Sequence, residues 1–227
     1  MDVLRTERLE LRRPVIGDIA EVYAVHADPE TSRHHPSGPD ADEQASRVRL
    51  QGWIADWRER GIGYWTVRAR PLQEAVETPA ARAGESGTPA RARATAARRT
   101  TEDARGIGEH PGSRDRMLSG RGEEAAPGAG GEVLGFGGLR FHELEGEEVL
   151  NLYYRFRPSA WGRGYAPEMA AAALAVGRER FPGVPIVAII RDSNLPSLKV
   201  AERIGMRHDR TITYVGTNSH VFLLGSS

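Results

Sequence analysis

The sequence predicts an α+β fold, a mostly antiparallel sheet with one parallel crossover, and three observations carry that expectation. Leu150, Leu152, Tyr154 and Phe156 alternate with more polar neighbours, the period of two expected of a strand. The charged turn Glu143 to Glu148 joins that strand to the apolar run Val133 to Phe141, as in an antiparallel hairpin. The Ala-rich stretch Arg163 to Arg180 is followed by the nearly continuous apolar run Val184 to Ile190, a helix feeding a strand buried on both faces.

The remaining elements follow in order. Leu9 and Leu11 alternate with charged residues between Leu4 and Arg12, a strand closed by Pro14. Asp18 precedes the stripe Ile19, Val22, Tyr23 and Val25, which reads as a short helix with an acid at its positive end. Asp28 and Pro29 start another turn. Asp40 or Asp42 caps a longer helix carrying Leu50, Trp53 and Trp57 and ending at Gly61. Gly63 to Arg68 reads as a strand, with Trp53, Trp57 and Trp65 as core residues. After the crossover strand, a helix from Pro196 to Ile204 ends at Gly205, and Thr211 to Val215 with His220 to Leu224 forms a last hairpin. These runs make seven strands.

Between Pro71 and Gly131 the pattern stops. No Phe, Tyr or Trp occurs there, and nine Arg stand against nine Asp plus Glu. Such a stretch buries too little to offset roughly 1 to 2 kcal/mol per residue of backbone ordering. We expect one domain over 1–227 with a disordered low-complexity insertion at 71–131.

Bulk composition narrows the function classes. Over 227 residues, 31 Lys plus Arg balance 31 Asp plus Glu, so no global field draws nucleic acid or an anionic membrane, and an anion site has to be local. The chain has no cysteine, which excludes disulfides, thiolate metal sites and a cysteinyl acyl intermediate. The seven histidines show no metal-ligand spacing beyond the adjacent His34 and His35, and no metal is expected. Without an apolar signal core or an 18-residue apolar run, the expected compartment is the cytoplasm.

The stretch with most chemistry is Arg157-Pro158-Ser159-Ala160-Trp161-Gly162-Arg163-Gly164-Tyr165-Ala166-Pro167-Glu168, which leaves a strand, passes two glycines and enters a helix. Unpaired N–H groups and the helix dipole make such a start a place for anions, and Gly162 and Gly164 leave room for one. A Walker loop would need Lys and Ser or Thr where Tyr165 and Ala166 stand. A dinucleotide fingerprint would need a third glycine.

At these residues the chain resembles the GNAT-superfamily N-acetyltransferases. Trp161, Gly162, Arg163, Gly164, Tyr165 and Ala166 are similar to the variant of the family's acetyl-CoA loop found in the ribosomal-protein-alanine N-acetyltransferase branch. Thr6-Glu7-Arg8-Leu9-Glu10-Leu11-Arg12, Asn194-Leu195-Pro196-Ser197 and Glu202-Arg203-Ile204-Gly205-Met206 match the same branch in order and spacing. The resemblance implies a twisted, mostly antiparallel sheet of about seven strands flanked by helices and splayed at its centre. It also implies acetyl transfer from acetyl-CoA to a primary amine, on a peptide N-terminus or a small molecule, in a direct step. On that resemblance the backbone of Tyr154, Arg155 and Phe156 pairs with the pantetheine arm. The amides from Gly162 to Ala166 hold the pyrophosphate, Asn194 bonds the pantetheine, and Lys199 or Arg203 meets the nucleotide end.

Two departures bear on catalysis. Where many relatives place a Tyr seven residues after the Asn, this chain has Ala201, so Ser197 becomes the candidate acid, with water as the alternative. Asn151 stands where a Glu often serves, which leaves Glu147, Glu148, His142, His34 and Tyr153 as candidate bases, while Tyr153, Tyr154 and Arg155 are candidates for shaping the acceptor pocket. The alternative reading from another class is a catalytically weak CoA-binding module that regulates a partner. A homodimer fits either reading; a membrane partner fits neither, and nucleic acid fits poorly.

Overall fold

Leu9 and Leu11 are fully buried while Glu10 and Arg12 remain half-buried, as a strand with one wet face requires. In the computed structural model, which describes residues 3–70 and 131–225, this strand is β2 (Leu9–Arg12), and a short β1 (Val3–Arg5) precedes it. The sequence predicts a single strand from Leu4 to Arg12. Thr6 divides it, because its backbone N–H donates to the Leu9 carbonyl at 2.9 Å and its hydroxyl accepts from the Leu9 N–H at 3.1 Å. Among the described residues the sheet therefore has eight strands, in keeping with the expected count of about seven.

Helices α1 (Ile19–His26), α2 (Pro29–Ser32) and α3 (Glu43–Arg60) follow. Asp42 caps α3 by accepting from the Ala45 N–H at 2.8 Å, and Gly61 ends it in the left-handed region. Next come β3 (Tyr64–Ala69), β4 (Val133–Leu144), β5 (Glu147–Phe156), α4 (Tyr165–Arg180), β6 (Ile186–Arg191), α5 (Leu195–Arg203), β7 (Met206–Tyr214) and β8 (Thr217–Leu224). β7 begins at Met206, not Thr211; Met206 is buried, but Arg207, His208 and Arg210 pair with β8 while their side chains stay in solvent. Apolar alternation could not reveal it. The sequence reading of 71–131 falls, apart from Gly131, outside the described residues. At its margins β3 and β4 lie side by side, with the Ala69 N–H donating to the Glu132 carbonyl at 3.0 Å.

The sheet order is β1-β2-β3-β4-β5-β6-β8-β7, antiparallel at every junction except β5 to β6. That parallel pair is in register only at Leu150 with Ile186 and Asn151 with Val187. Beyond it the strands part, and the edge of β5 from Leu152 to Phe156 keeps only its partner β4. Alternate β5 residues serve opposite faces. Leu150, Leu152, Tyr154 and Phe156 belong to the core under α4 and α5, while Tyr153 packs with Val22, Leu50, Trp53, Tyr64 and Phe136 beneath α1 and α3. Among the described residues no helix is long and apolar enough to cross a membrane.

Helix α4 lies close to the sheet at Gly177, where a Cβ would stand 2.5 Å from Leu139 Cδ1 and 2.8 Å from Ile186 Cδ1. A mid-helix glycine costs about 1 kcal/mol in propensity, and the close approach offsets that cost. Gly177→Val should overpack this contact and lower the unfolding free energy by about 1 to 3 kcal/mol in urea titrations. An unchanged midpoint would mean that the helix shifts freely and that the approach is not required.

Candidate active site

The parting of β5 and β6 opens a single cleft of about 960 Å³ that reaches both faces of the sheet. Its α4 and α5 side is built on the Trp161 to Ala166 loop. Gly162 and Gly164 have φ of 71° and 77°, the left-handed region that glycine enters without strain, and Gly164 is the N-cap of α4. Among the described residues the amides of Gly162, Arg163 and Gly164 donate to no backbone carbonyl, and the first turn of α4 leaves further N–H groups open. Trp161 packs across the loop entrance, its indole N–H donating to the Phe156 carbonyl at 2.9 Å. Of the Phe156 backbone, that carbonyl is thereby already taken.

The N-terminal motif holds this loop. Glu168, in the first turn of α4, accepts from the Thr6 hydroxyl, from the Arg8 N–H at 2.8 Å and from Arg8 Nε at 2.7 Å. The rest of the same guanidinium donates to the carbonyls of Arg163 at 2.8 Å and Gly164 at 3.3 Å. In a planar trans peptide the N–H points opposite to the C=O, so drawing these carbonyls toward Arg8 turns the N–H groups of Gly164 and Tyr165 the other way. Burial raises the carboxyl pKa of Glu168, but the bonds from Thr6 and Arg8 outweigh it and leave the group below its ordinary value.

At the start of α5, Asn194 Oδ1 accepts from the Ser197 N–H at 3.3 Å, a capping bond that leaves the amide nitrogen of Asn194 free to donate into the cleft. Burial pushes the pKa of the Tyr154 hydroxyl up to about 12, and the neighbouring Ser197 side chain draws it back. Tyr154 is therefore protonated at neutral pH. Ala201 is buried and lines the wall beyond.

The other face is aromatic and basic. Tyr64 and Tyr153 stack at 4.8 Å, and His35 meets Tyr153 edge-on at 6.3 Å. His26 Nδ1 faces the Val22 carbonyl at 3.0 Å and must donate to it, so Nε2 accepts from the Tyr153 hydroxyl at 3.2 Å. Burial first, then Arg155 and Arg49, hold His26 well below its ordinary pKa; the same causes push His35 down to about 4. Asp40 accepts from Arg49 and Ser46.

The sequence-based candidates fall into place as follows. Tyr154, Arg155, Phe156, Trp161, Gly162, Gly164, Tyr165, Ala166, Asn194, Ser197 and Arg203 all line the cleft. Arg163 does not; its guanidinium lies over the Tyr165 ring at 5.1 Å while its backbone stays in the loop. Lys199 is exposed and is absent from the lining, which one turn later includes Arg203. Among the candidate bases, His34, His142 and Tyr153 line the cleft, whereas Glu147 and Glu148 are exposed away from it and Glu148 pairs with Arg60. The Tyr153 proton is committed to His26. Sequence reasoning missed His35, Tyr64 and Arg191, which reach the cleft from three separate elements and share no local motif.

Comparison with known proteins shows the family to which this fold belongs. The family model described as an acetyltransferase (GNAT) domain matches residues 8–88 and 86–207. The chain belongs to the GNAT acetyltransferase family. The uncharacterized protein YkkB of Bacillus subtilis is 38% identical over 82 residues, 36% of this chain and 48% of YkkB. The chain spans about half the length of the curated relatives it matches. Among solved structures, a chain assigned to the GNAT family from Bordetella pertussis superposes with a TM-score of 0.64 at 19% identity, covering 99% of this chain and 100% of that one. The ribosomal-protein acetyltransferase RimL in complex with coenzyme A superposes with a TM-score of 0.57 at 14% identity, covering 97% and 96%. At these identities the likeness is one of fold.

The Glu168 anchor has a pH signature. A carboxylate whose folded pKa lies below its unfolded one stabilises the fold above the unfolded value and loses that contribution as pH falls through the folded one. The stability difference between the protein and Glu168→Gln should therefore shrink as pH drops below the ordinary value of 4.5. Urea midpoints from pH 7 to pH 3 measure it, and a pH-independent difference would dismiss the ionic anchor.

Proposed function

We propose that the chain is one transferase domain that moves an acetyl group from acetyl-CoA to a primary amine in a direct step. The observation that carries this reading is the continuous cleft joining the unpaired amides at Gly162 to Tyr165 with the aromatic face at Tyr64, Tyr153 and His35. Loop amides meet the pyrophosphate, which a helix start favours by its dipole. The free edge of β5 pairs with the pantetheine amides as a neighbouring strand would, through Leu152 to Arg155, since Trp161 holds the Phe156 carbonyl. Asn194 donates its side-chain amide to the same arm. Arg203, on the cleft wall, meets the nucleotide end in preference to Lys199.

The amine enters from the α1 and α3 face and attacks the thioester carbonyl. No cysteine is present to take the acyl group first. As the carbon–nitrogen bond forms and the carbon–sulfur bond breaks, the amine nitrogen gives up its proton to water, the leaving sulfur receives one from the Ser197 hydroxyl, Ser197 takes one from the neighbouring Tyr154 hydroxyl, and Tyr154 recovers one from water in the cleft. Tyr154, on β5 and not on α5, thus stands in for the tyrosine that Ala201 replaces.

Thiol release from acetyl-CoA with a panel of amines and N-terminal peptides tests the activity. Ser197→Ala should lower kcat by about 100-fold or more while acetyl-CoA binding changes little. Full kcat in that variant would remove Ser197 from the mechanism, and tight acetyl-CoA binding without turnover on any acceptor would favour the regulatory module. The loop is tested at Gly162, where a Cβ meets nothing within 4 Å. Asn and Asp both tolerate the left-handed region and differ in charge. Gly162→Asp should weaken acetyl-CoA binding about tenfold or more relative to Gly162→Asn; equal affinities would place the phosphates elsewhere.

A further inference from the structure

Resting on the transferase reading, we propose that the acceptor is a small amine carrying an anionic group, a carboxylate or phosphate, that binds Arg155 and Arg191 on the α1 and α3 side of the cleft. Arg155 is 5% exposed and lines the cleft. Among the described residues its side-chain hydrogen-bond partner is the neutral Ser32 hydroxyl, which accepts from its Nη1 at 3.1 Å, and its charge acts on the neighbouring Tyr153 hydroxyl. A buried guanidinium without a carboxylate is costly, and a bound anion would relieve that cost.

The surrounding charges do not supply the anion. Arg49 is bound to Asp40, so that pair cancels, and His26 and His35 stay neutral, leaving the Arg155 charge unbalanced. Arg191, at the end of β6, is half-buried in the cleft wall and, among the described residues, has no ion pair and leaves its Nε unpaired. Arg155 and Arg191 come from the two parted strands. Both sit close enough to His35 to lower its pKa. The carboxylate that the lining does include, Glu30, is exposed at the mouth.

The phosphates of the donor do not answer this need. They belong with the loop under α4, and Arg155 alternates with Tyr154 and Phe156 along β5, so its side chain leaves the opposite face. An anion on the acceptor would lie against the guanidinium fork with its amine directed along the Tyr64 and Tyr153 wall toward the parting of the strands.

Two measurements test this. In the first, thiol release is followed with free amino acids against their carboxamides, and with phosphoethanolamine against ethanolamine. One anionic series should be preferred by about 10- to 100-fold in kcat/KM, which also tells carboxylate from phosphate, and the preference should collapse toward unity in Arg155→Gln. Arg191→Gln, at a half-buried site, should reduce it too and serves if Arg155→Gln does not fold. In the second, the His35 ring is titrated by NMR in the CoA-bound protein with N-acetylated amino acids or their amides. A bound acid should raise the His35 pKa from about 4, and the amide should not. Turnover with no acid preference and an unmoved His35 overturns the anion site and leaves the transferase intact. A His35 shift with acids but no turnover on any amine upholds the anion site and overturns the transferase reading.

Discussion

The Arg8 side chain is the fastening on which the loop at the start of α4 depends. It is held at one end by the Glu168 carboxylate and at the other reads two carbonyls of the loop, so a residue at the start of the chain fixes the orientation of backbone far along it. Charge-assisted bonds are stronger and more directional than neutral ones, and three of the four groups involved are fixed in regular structure or a tight turn. The loop glycines provide the freedom to bend, and Arg8 removes that freedom in one direction. An anion cradle with both its N–H groups pre-aimed spends little ordering energy when a ligand arrives.

The second constraint is the short parallel junction between β5 and β6. β5 is fully paired with β4, and β6 with β8, so neither strand needs the other beyond Asn151 and Val187. The sheet can therefore part at its centre without losing its ladder elsewhere. What the gap leaves open is a row of backbone donors and acceptors, and a ligand with its own amides suits that row better than water does.

How much of this was legible in the sequence follows from how local each feature is. The loop could be read because Gly162, Gly164 and the helix start are contiguous, and the chemistry of a helix N-terminus is written in adjacent residues. The order of strands and helices could be read because the buried runs alternate, except at β7, whose exposed side chains carry no period, and at Thr6, whose turn bonds split one apparent strand in two. The proposed acceptor face could be read only along β5, where Tyr153, Tyr154 and Arg155 are contiguous. His35 comes from the loop after α2, Tyr64 from β3, Arg155 from β5 and Arg191 from β6, and only folding brings them together. Lys199 and Arg203 show the same limit on a smaller scale, since the turn between them decides which cation meets the cleft.

Because β5 runs between the two faces of the cleft, its pleat sorts the substrates that the proposed transfer assigns to them. Tyr154 and Phe156 face the α4 and α5 side, proposed for the donor, and Tyr153 and Arg155 face the α1 and α3 side, proposed for the acceptor. A lineage that changed the second pair could explore new acceptors while the first pair kept the same donor. The one strand thus acts as two independent records, interleaved residue by residue, and only one of them is tied to the cofactor the family shares.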